Sequence, residues 1–362
     1  MENKKERSSQ PPLIGDEQIA LLEKLSNVVG VSGDESEVRA IVIQEISPYA
    51  DEIKVDALGN VLATCNAQVE NPLCVMLAAH MDEVGFMLTN KEEGGLFSFA
   101  LVGGIDIRQL PGKSVLVSKK RHPGVIGSRP IHLTTPDEQE RIIPLDNLRI
   151  DLGPGGADLA KVGDRGTFGT SFRQVGPSLL GKALDNRLGV ATLIELVKHA
   201  PAHIKLMAAF TVQEEVGLRG ARVAGYAVNP DMVIAIDSTP ANDLPTWDDS
   251  ENTCYNSRLG AGPAVYVADQ RTLSDPRLVR YLLEIAGKHH IPVQVRQPGG
   301  GGTDAGAIHL AQAGIPAISV SIPGRYPHTA AGLSRLDDWK NTLALLHAAL
   351  RDLSPDILLS VR

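Results

Sequence analysis

The chain has 362 residues, of which 43% are apolar, 22% charged and 4% aromatic. This length accommodates about two domains, and the composition is typical of a globular protein. With 35 Lys and Arg against 43 Asp and Glu, the net charge is −8 at pH 7, which argues against nucleic acid as a partner. No apolar run approaches the roughly 18 residues of a membrane span, and residues 1–12 lack the apolar region of a signal peptide. We therefore expect a cytoplasmic protein without a membrane partner.

Cysteine usage narrows the metal chemistry that this chain can perform. The three cysteines, Cys65, Cys74 and Cys254, are an odd number and show no C-x-x-C spacing. That pattern argues against a disulfide framework and against a structural zinc site made of thiolates. Any metal site should therefore be built from histidine and carboxylate side chains.

The first part of the chain predicts a polar tail, two helices and a buried strand. Residues 1–12 are polar and charged, and we expect them to be a frayed tail. Apolar positions at helical spacing predict one helix from Asp16 to Val29 and a second helix after Ser32-Gly33. The apolar run Leu73 to Ala79 predicts a strand that is buried on both faces.

The pattern of apolar and turn residues changes between about residues 89 and 175. Short β-rich runs there alternate with glycine and proline, and they cover residues 96–102, 114–117, 124–127 and 148–152. Regularly spaced short strands with turn residues are typical of a small barrel or sandwich. We predict a β-rich domain over residues 89–175, inserted into a larger domain of residues 13–88 and 176–362.

From residue 176 onward, strands and helices alternate. The predicted helices cover residues 186–199, 276–289, 303–313 and 336–352, and the predicted strands cover residues 204–211, 232–236, 264–267, 293–295 and 317–321. Such alternation predicts an α/β fold with a doubly wound, mixed sheet and helices on both faces.

Carboxylates and imidazoles recur at the ends of predicted strands or at the start of a helix, where open α/β sheets bind ligands. They are His80 with Asp82, Asp185, Glu214 with Glu215, Asp237, and His328. In extended chain His80 and Asp82 project to the same side, so the carboxylate can orient the imidazole as a metal ligand. A histidine satisfied within a loop explains this pair equally well.

The remaining members of this set differ in how strongly they indicate function. Asp185 precedes a helix and could simply be its N-cap, although a carboxylate can also bridge two cations. Glu214 and Glu215 crowd two charges at the end of an apolar strand, which favours a metal site or a general base over a solvated turn. Asp237 could be a turn residue, whereas His328 lies in a proline-rich loop that is rigid enough for a ligand.

Taken together, these donors suit zinc or cobalt, with manganese also possible, rather than a thiolate zinc site. Two divalent ions about 3.5–4 Å apart bring the pKa of bound water to roughly 7, and a spare carboxylate can then carry its proton. This chemistry is that of amide hydrolysis. The glycine run before Asp304 lacks the lysine of a Walker loop, so we expect Asp304 to cap or support the site. His132 remains open as a loop residue near the site, and Arg325 is more easily explained as structural than as a specificity residue.

Six ordered motifs carry a resemblance to a known family: AAHMDEVGFM, GKALDNRLG, QEEVGLRGA, AIDST, GGTDAGAIH and PGRYPHT. The chain resembles the tetrahedral metallo-aminopeptidases, which are also described as glutamyl aminopeptidases or as endoglucanase-M-like proteins. The resemblance extends from about Leu21 to Leu350. It implies a zinc-exopeptidase-like catalytic domain and an inserted PDZ-like barrel for dimerisation. It also implies that dimers assemble into a hollow tetrahedral dodecamer, which admits only short peptides.

The resemblance also implies a role for each site residue. His80 and His328 would be ligands of different metal ions, and Asp185 would bridge the two ions. Glu215 and Asp237 would complete the ligand set. Glu214 would be the general base, and Asp82 would orient His80.

Two segments of this chain depart from the family pattern. Residues 153–166 are short and glycine-rich where relatives carry a longer helix, which bears on the assembly contacts. The stretch Asp243–Tyr255 is unusual, which bears on substrate preference. A deacylase or a carboxypeptidase on the same metal scaffold is the alternative activity. A glycanase is disfavoured because the chain has only two Trp. A scaffold without activity would tolerate gaps in the ligand set, and the set has none.

Overall fold

The computed structural model describes residues 4–8, 10–246 and 256–361. The helices are Asp16–Asn27 (α1), Ser36–Ile46 (α2), Pro136–Gln139 (α3), Leu184–Lys198 (α4), Arg219–Val228 (α5), Pro276–Lys288 (α6), Ala305–Ile308 (α7) and Leu336–Asp352 (α8). The strands up to residue 127 are Glu52–Val55 (β1), Val61–Cys65 (β2), Cys74–His80 (β3), Gly85–Lys91 (β4), Leu96–Val102 (β5), Ser114–Val117 (β6) and His122–Gly127 (β7). The later strands are Arg149–Asp151 (β8), Arg165–Phe168 (β9), Arg173–Val175 (β10), Ser178–Gly181 (β11), Lys205–Thr211 (β12), Met232–Pro240 (β13), Ala264–Tyr266 (β14), Gln294–Arg296 (β15), Ala317–Arg325 (β16) and Gly332–Arg335 (β17).

The larger sheet has 11 strands, and its main path runs β1-β2-β12-β3-β13-β16-β17-β11-β10. Its four central strands, β12, β3, β13 and β16, are parallel, whereas its outer pairs are antiparallel. The predicted mixed sheet is therefore confirmed. Parallel central strands place all of their carboxyl ends at one edge, and that edge carries the candidate site.

Helices cover both faces of this sheet, as predicted. Alternate residues of β3 point to opposite sides, so Val75 and Leu77 join the core beneath α1, α2, α4, α6 and α8. Met76 and Ala78 join a smaller core beneath α5 and α7. This period-two division of a strand that is apolar on both faces is the reason that its sequence reads as an uninterrupted apolar run.

A second sheet closes into a six-stranded barrel in the order β4-β5-β8-β7-β6-β9. Its interior is a separate apolar core in which the ring of Phe86 packs edge to face against Phe99 and Phe168, with centroids 5.3 and 5.1 Å apart. The strands lie within residues 85–168, so the barrel begins four residues before the stretch 89–175, whose sequence predicts a small barrel or sandwich, and overlaps most of it.

The structure differs from the sequence prediction at several elements. Strands β1 and β2 and helix α5 had no predicted counterpart; α5 contains two glycines, which lower helix propensity. The helix predicted over residues 303–313 extends only over Ala305–Ile308. Beyond it Leu310 is 73% exposed, so there is no buried face to stabilise further turns.

The predicted frayed tail makes contacts in its described part. The backbone amide of Lys5 donates to Pro48 at 2.9 Å, and that of Ser8 donates to Lys198 at 3.1 Å. Cys65 and Cys74 are free thiols, whereas Cys254, Trp247 and most of the stretch 243–255 lie outside the described residues. Within the described ranges, no helix is both long enough and apolar enough to cross a membrane.

Candidate metal centre

The predicted site residues meet at the carboxyl edge of the parallel strands. His80 is the last residue of β3, and Glu214 and Glu215 follow β12 directly. Asp237 lies in β13, and His328 follows β16. Because these strands are neighbours and parallel, residues far apart in the sequence converge on one small volume.

The first half of the centre surrounds His80, whose side chain is buried. Its Nε2 lies 3.3 Å from an oxygen of Asp185 and 3.4 Å from an oxygen of Asp237. Its Nδ1 lies 3.2 Å from the backbone carbonyl of Asp82 and 3.5 Å from the carboxylate of the same residue. With Nδ1 next to Asp82, Nε2 faces the two carboxylates, which is the geometry that the predicted orienting role of Asp82 requires.

The second half of the centre surrounds His328. Its Nε2 lies 3.1 Å from Glu215 Oε2 and 3.5 Å from Asp185 Oδ2. Its Nδ1 lies 2.9 Å from the backbone carbonyl of Gly104, in the loop that follows barrel strand β5. That carbonyl is an acceptor, so it favours the tautomer that leaves Nε2 free for a ligand role.

Asp185 connects the two halves. Its Oδ1 faces His80 and its Oδ2 faces His328. The N-cap alternative does not hold, because Asp185 and Asn186 both have non-helical backbone angles and it is the side chain of Asn186 that caps the regular part of α4, accepting the backbone N–H of Gly189 at 3.1 Å. The carboxylate is thus turned away from the helix and toward the two imidazoles.

Asp82 also accepts hydrogen bonds from distant residues, which the sequence did not predict. Its carboxylate accepts the backbone N–H groups of Glu214 at 3.0 Å and of Glu215 at 3.1 Å, and it accepts the hydroxyl of Ser32 at 2.6 Å. One buried carboxylate therefore holds the turn that carries both glutamates. These partners lie far from Asp82 in the sequence, so no local signal pointed to them.

Burial and crowded charge shift the pKa values of the cluster strongly. Burial raises the pKa of Glu214 well above its usual range, and the charges of Asp237 and Glu215 act in the same direction, although His80 opposes them. Burial lowers the pKa of His328, but Asp185 and Glu215 raise it to about 11. The cluster therefore attracts positive charge, either protons or cations.

Asp304 stands directly before α7, but its side chain forms no capping hydrogen bond with this helix. It is buried, its Oδ2 accepts the hydroxyl of Thr211 at 2.5 Å, and Thr211 ends β12 just before the glutamates. Its Oδ1 has no hydrogen-bond partner among the residues described. Burial raises the pKa of Asp304 to about 7.

Two other predicted candidates lie outside the centre. His132 is exposed in a turn over Ile131–Leu133, and it belongs to none of the possible metal-binding groups found in the described chain. Arg325 donates to the carboxylate of Asp243 at 2.7 Å, in keeping with the structural role that the sequence favoured.

The donor set fits divalent metal ions. Three groups of side chains present ligand atoms that all lie within 4.8 Å of one another: His80 with Asp185 and Asp237, Asp185 with Glu215 and His328, and His80 with Glu214 and Glu215. Imidazole nitrogen and carboxylate oxygen are ligands of zinc, cobalt and manganese. So many buried carboxylates are costly to hold together without cations.

Comparison with known proteins identifies relatives along almost the whole chain. The sequence profile of the M42 glutamyl aminopeptidase family matches residues 59–345. The lysyl aminopeptidase of Pyrococcus furiosus is 31% identical over 347 residues, which is 92% of this chain and 97% of that protein.

Solved structures agree with the sequence comparison. A TET aminopeptidase from a marine sediment archaeon of the Thaumarchaeota superposes with a TM-score of 0.89 at 32% identity, covering 95% of this chain and 98% of that one. The TET1 peptidase of Pyrococcus horikoshii, which can assemble into a tetrahedron or a large octahedral shell, has a TM-score of 0.81 at 33% identity and covers 93% and 100%. The resemblance indicated by the six motifs is confirmed.

Proposed function

The chain belongs to the M42 glutamyl aminopeptidase family and is a peptide-bond hydrolase, and from this premise we propose that it is a dinuclear metal aminopeptidase acting on short peptides. The observation that carries the proposal is Asp185, whose two carboxylate oxygens face His80 on one side and His328 on the other. A carboxylate placed between two imidazoles is the arrangement needed to bridge two cations.

We assign the remaining ligands by their neighbours. Asp237 lies beside His80 and would complete the first ion's ligands, and Glu215 lies beside His328 and would complete the second ion's. Zinc and cobalt are the ions that this donor set suits best, with manganese also accommodated. When bound, such ions polarise the scissile carbonyl and bring the pKa of water to roughly 7.

Glu214 is the proposed general base. It is close to His80 and Glu215, yet it belongs to neither group that contains Asp185, so it is the spare carboxylate of the cluster. Burial raises its pKa well above that of an ordinary glutamate, which favours a group that takes up a proton. Its carboxylate would accept the proton of the attacking water and deliver it to the leaving amine.

The cleft beside the cluster accommodates a short peptide. It has a volume of about 660 Å³, and its wall includes His80, Asp185, Glu214 and His328. The carboxylates give this end of the cleft the negative charge that a free α-amine requires. The substrate is thereby anchored by its N-terminus, which places the first peptide bond at the proposed metal centre.

The β-rich domain predicted over residues 89–175 is the proposed dimerisation domain, and dimers would assemble into a tetrahedral dodecamer. The likeness to a TET1 peptidase that forms closed shells supports this assembly. Light scattering on the purified chain measures its mass directly. A mass of a single 38.6 kDa subunit at micromolar concentration would contradict the assembly but not the activity.

The test of the reaction uses free and N-acetylated aminoacyl-anilides with metal-stripped protein reconstituted with zinc or cobalt. We expect metal-dependent cleavage of the free-amine substrates alone. In Glu214→Gln turnover should fall by about 10²–10⁴ while metal content stays normal. In the matched variant Glu215→Gln metal content should fall as well.

The pattern of failures identifies the alternative. Cleavage of the acetylated substrates would indicate a deacylase, and cleavage from the carboxyl end of peptides would indicate a carboxypeptidase. Loss of metal in Glu214→Gln would mean that the roles of the two glutamates are reversed.

A further inference from the structure

The wall of the cleft beside the metal centre carries both negative and positive side chains. The carboxylates of the cluster supply the negative charge, and the only cations in its described wall other than histidine are Arg271 and Arg296. The two arginines differ in whether the guanidinium forms hydrogen bonds with described residues of the protein.

The guanidinium of Arg296 forms hydrogen bonds within the protein through all three of its nitrogen atoms. It is buried, its Nε donates to Thr239 Oγ1 at 3.0 Å, and its two terminal nitrogens donate to the carbonyls of Ala268 and Gly300 at 3.4 and 2.9 Å. Its guanidinium also stacks over the ring of Tyr266 at 4.2 Å. Arg296 is therefore a fixed part of the wall, with little left to offer a ligand.

Arg271 has the opposite character, because its backbone is held by hydrogen bonds whereas its guanidinium has no partner among the residues that the structure describes. Asp269 accepts the backbone N–H of Arg271 at 2.7 Å, and the neighbouring amide of Gln270 donates to Gly301 at 3.0 Å. The side chain is exposed, and its guanidinium has no hydrogen bond or ion pair within the part of the chain that the structure describes.

Two glycines make room for the Arg271 side chain. A Cβ on Gly302 would lie 3.0 Å from Arg271 Cδ, and a Cβ on Gly306 would lie 2.7 Å from Arg271 Cβ. Gly302, the last glycine of the run before Asp304, and Gly306 in α7 therefore lie directly against the aliphatic part of the Arg271 side chain. The stem is held by packing and the charged head remains available in the cleft.

We propose that Arg271 is a specificity residue that binds a carboxylate of the peptide substrate, a proposal that rests on the aminopeptidase function above. Guanidinium pairs with carboxylate through two parallel hydrogen bonds, so an acidic group gains more here than a neutral one. Family membership does not decide this preference, because the family description names glutamyl substrates while a relative at 31% identity is named for lysyl substrates.

The carboxylate can come from two sources, the side chain of an acidic N-terminal residue or the C-terminus of a short peptide. We would measure kcat/KM for Glu-anilide against Gln-anilide, and for Leu-Gly against Leu-Gly-amide. The proteins are the unaltered chain, Arg271→Gln and Arg271→Lys. The matched control is Arg222→Gln, an exposed arginine that lines the neighbouring apolar groove but not this cleft.

We expect Arg271→Gln to lose about tenfold or more in kcat/KM, mainly through KM, for the acidic member of one pair and little for its neutral partner. Arg271→Lys should recover part of the loss, and Arg222→Gln should behave as the unaltered chain. The pair that responds identifies the source of the carboxylate. An equal effect on acidic and neutral members of both pairs, or no effect, overturns the proposal.

A binding measurement separates this proposal from the proposed reaction. Glu-Leu and Gln-Leu are titrated calorimetrically into Glu214→Gln, with and without Arg271→Gln, so that no turnover is needed. Tighter binding of an acidic peptide that depends on Arg271 supports the assignment even if the anilides are not cleaved. Affinities for both peptides that Arg271→Gln leaves unchanged, together with cleavage of anilides, refute the assignment and leave the aminopeptidase intact.

Discussion

Replacing Lys182 with methionine should destabilise the protein by isolating a buried charge. Lys182 and Glu83 are 1% and 3% exposed, and the lysine Nζ donates to both oxygens of Glu83 at 2.9 Å. Burial lowers the pKa of Lys182 to about 8. Burial would raise the pKa of Glu83, but the charges of Lys182 and Arg187 hold it below its usual range. The pair is therefore ionised at neutral pH.

The magnitude follows from the surroundings of Glu83. Breaking a buried pair by removing one partner costs about 3–5 kcal/mol, because the other charge stays buried without compensation. Arg187 remains 3.4 Å from Glu83, and Thr167 donates its hydroxyl at 2.7 Å, so we expect the lower end, about 3 kcal/mol. Since a typical domain is stable by about 5–15 kcal/mol, this is a substantial fraction.

Urea unfolding at fixed protomer concentration measures the change, and Glu83→Gln/Lys182→Met completes the double-mutant cycle. The double variant should recover part of the loss because the isolated charge is gone. Lys288→Met is the control, since its pair with Asp352 at 2.8 Å is 64% exposed on the lysine side and should cost at most about 1 kcal/mol. A loss in Lys182→Met no larger than in this control would refute the reasoning.

Three further outcomes are expected. The variant Gly103→Ala places a Cβ 2.7 Å from Val84 Cγ1 at a φ of +86°, and the backbone conformation alone should cost about 1–2 kcal/mol of stability. The change should also shift the neighbouring carbonyl of Gly104, which contacts His328. We therefore expect a lower metal content in elemental analysis. Chelation should lower the Tm, and added zinc or cobalt should restore it, because the clustered carboxylates then repel one another without cations. Burial, with His199 and Arg351, lowers the pKa of His347 to about 4 against the opposing charge of Asp352. The folded pKa of His347 lies below the unfolded value of about 6.5, so its contribution to stability is complete above about pH 6.5 and disappears toward pH 4. The variant His347→Gln should therefore show a smaller fall in Tm between pH 6.5 and pH 4 than the unaltered chain. An unchanged fall in Tm would contradict the assignment.

The sequence by itself identified the residues that the structure brings together in the candidate metal centre. Each of them stands where an apolar strand ends or a helix begins, and open α/β sheets gather such positions at one edge. His80, Glu215, Asp237 and His328 are brought together in the structure as that rule predicts. The mixed sheet, its helical cover and the barrel were also predictable, since hydrophobic periodicity and turn residues are local signals.

The tertiary structure decided which groups each residue contacts, because those contacts join distant parts of the chain. A carboxylate before a helix is by itself more easily explained as a cap, and only the facing imidazoles show that Asp185 is turned away from the helix. The acceptor that orients His328 is Gly104, 224 residues away, and the carboxylate that holds the Glu214 turn is Asp82, 132 residues away. The sequence around Arg271 could not show either that its guanidinium has no partner in the described part of the chain. Whether a buried or exposed polar group has a partner is settled by three-dimensional packing, which no local pattern encodes.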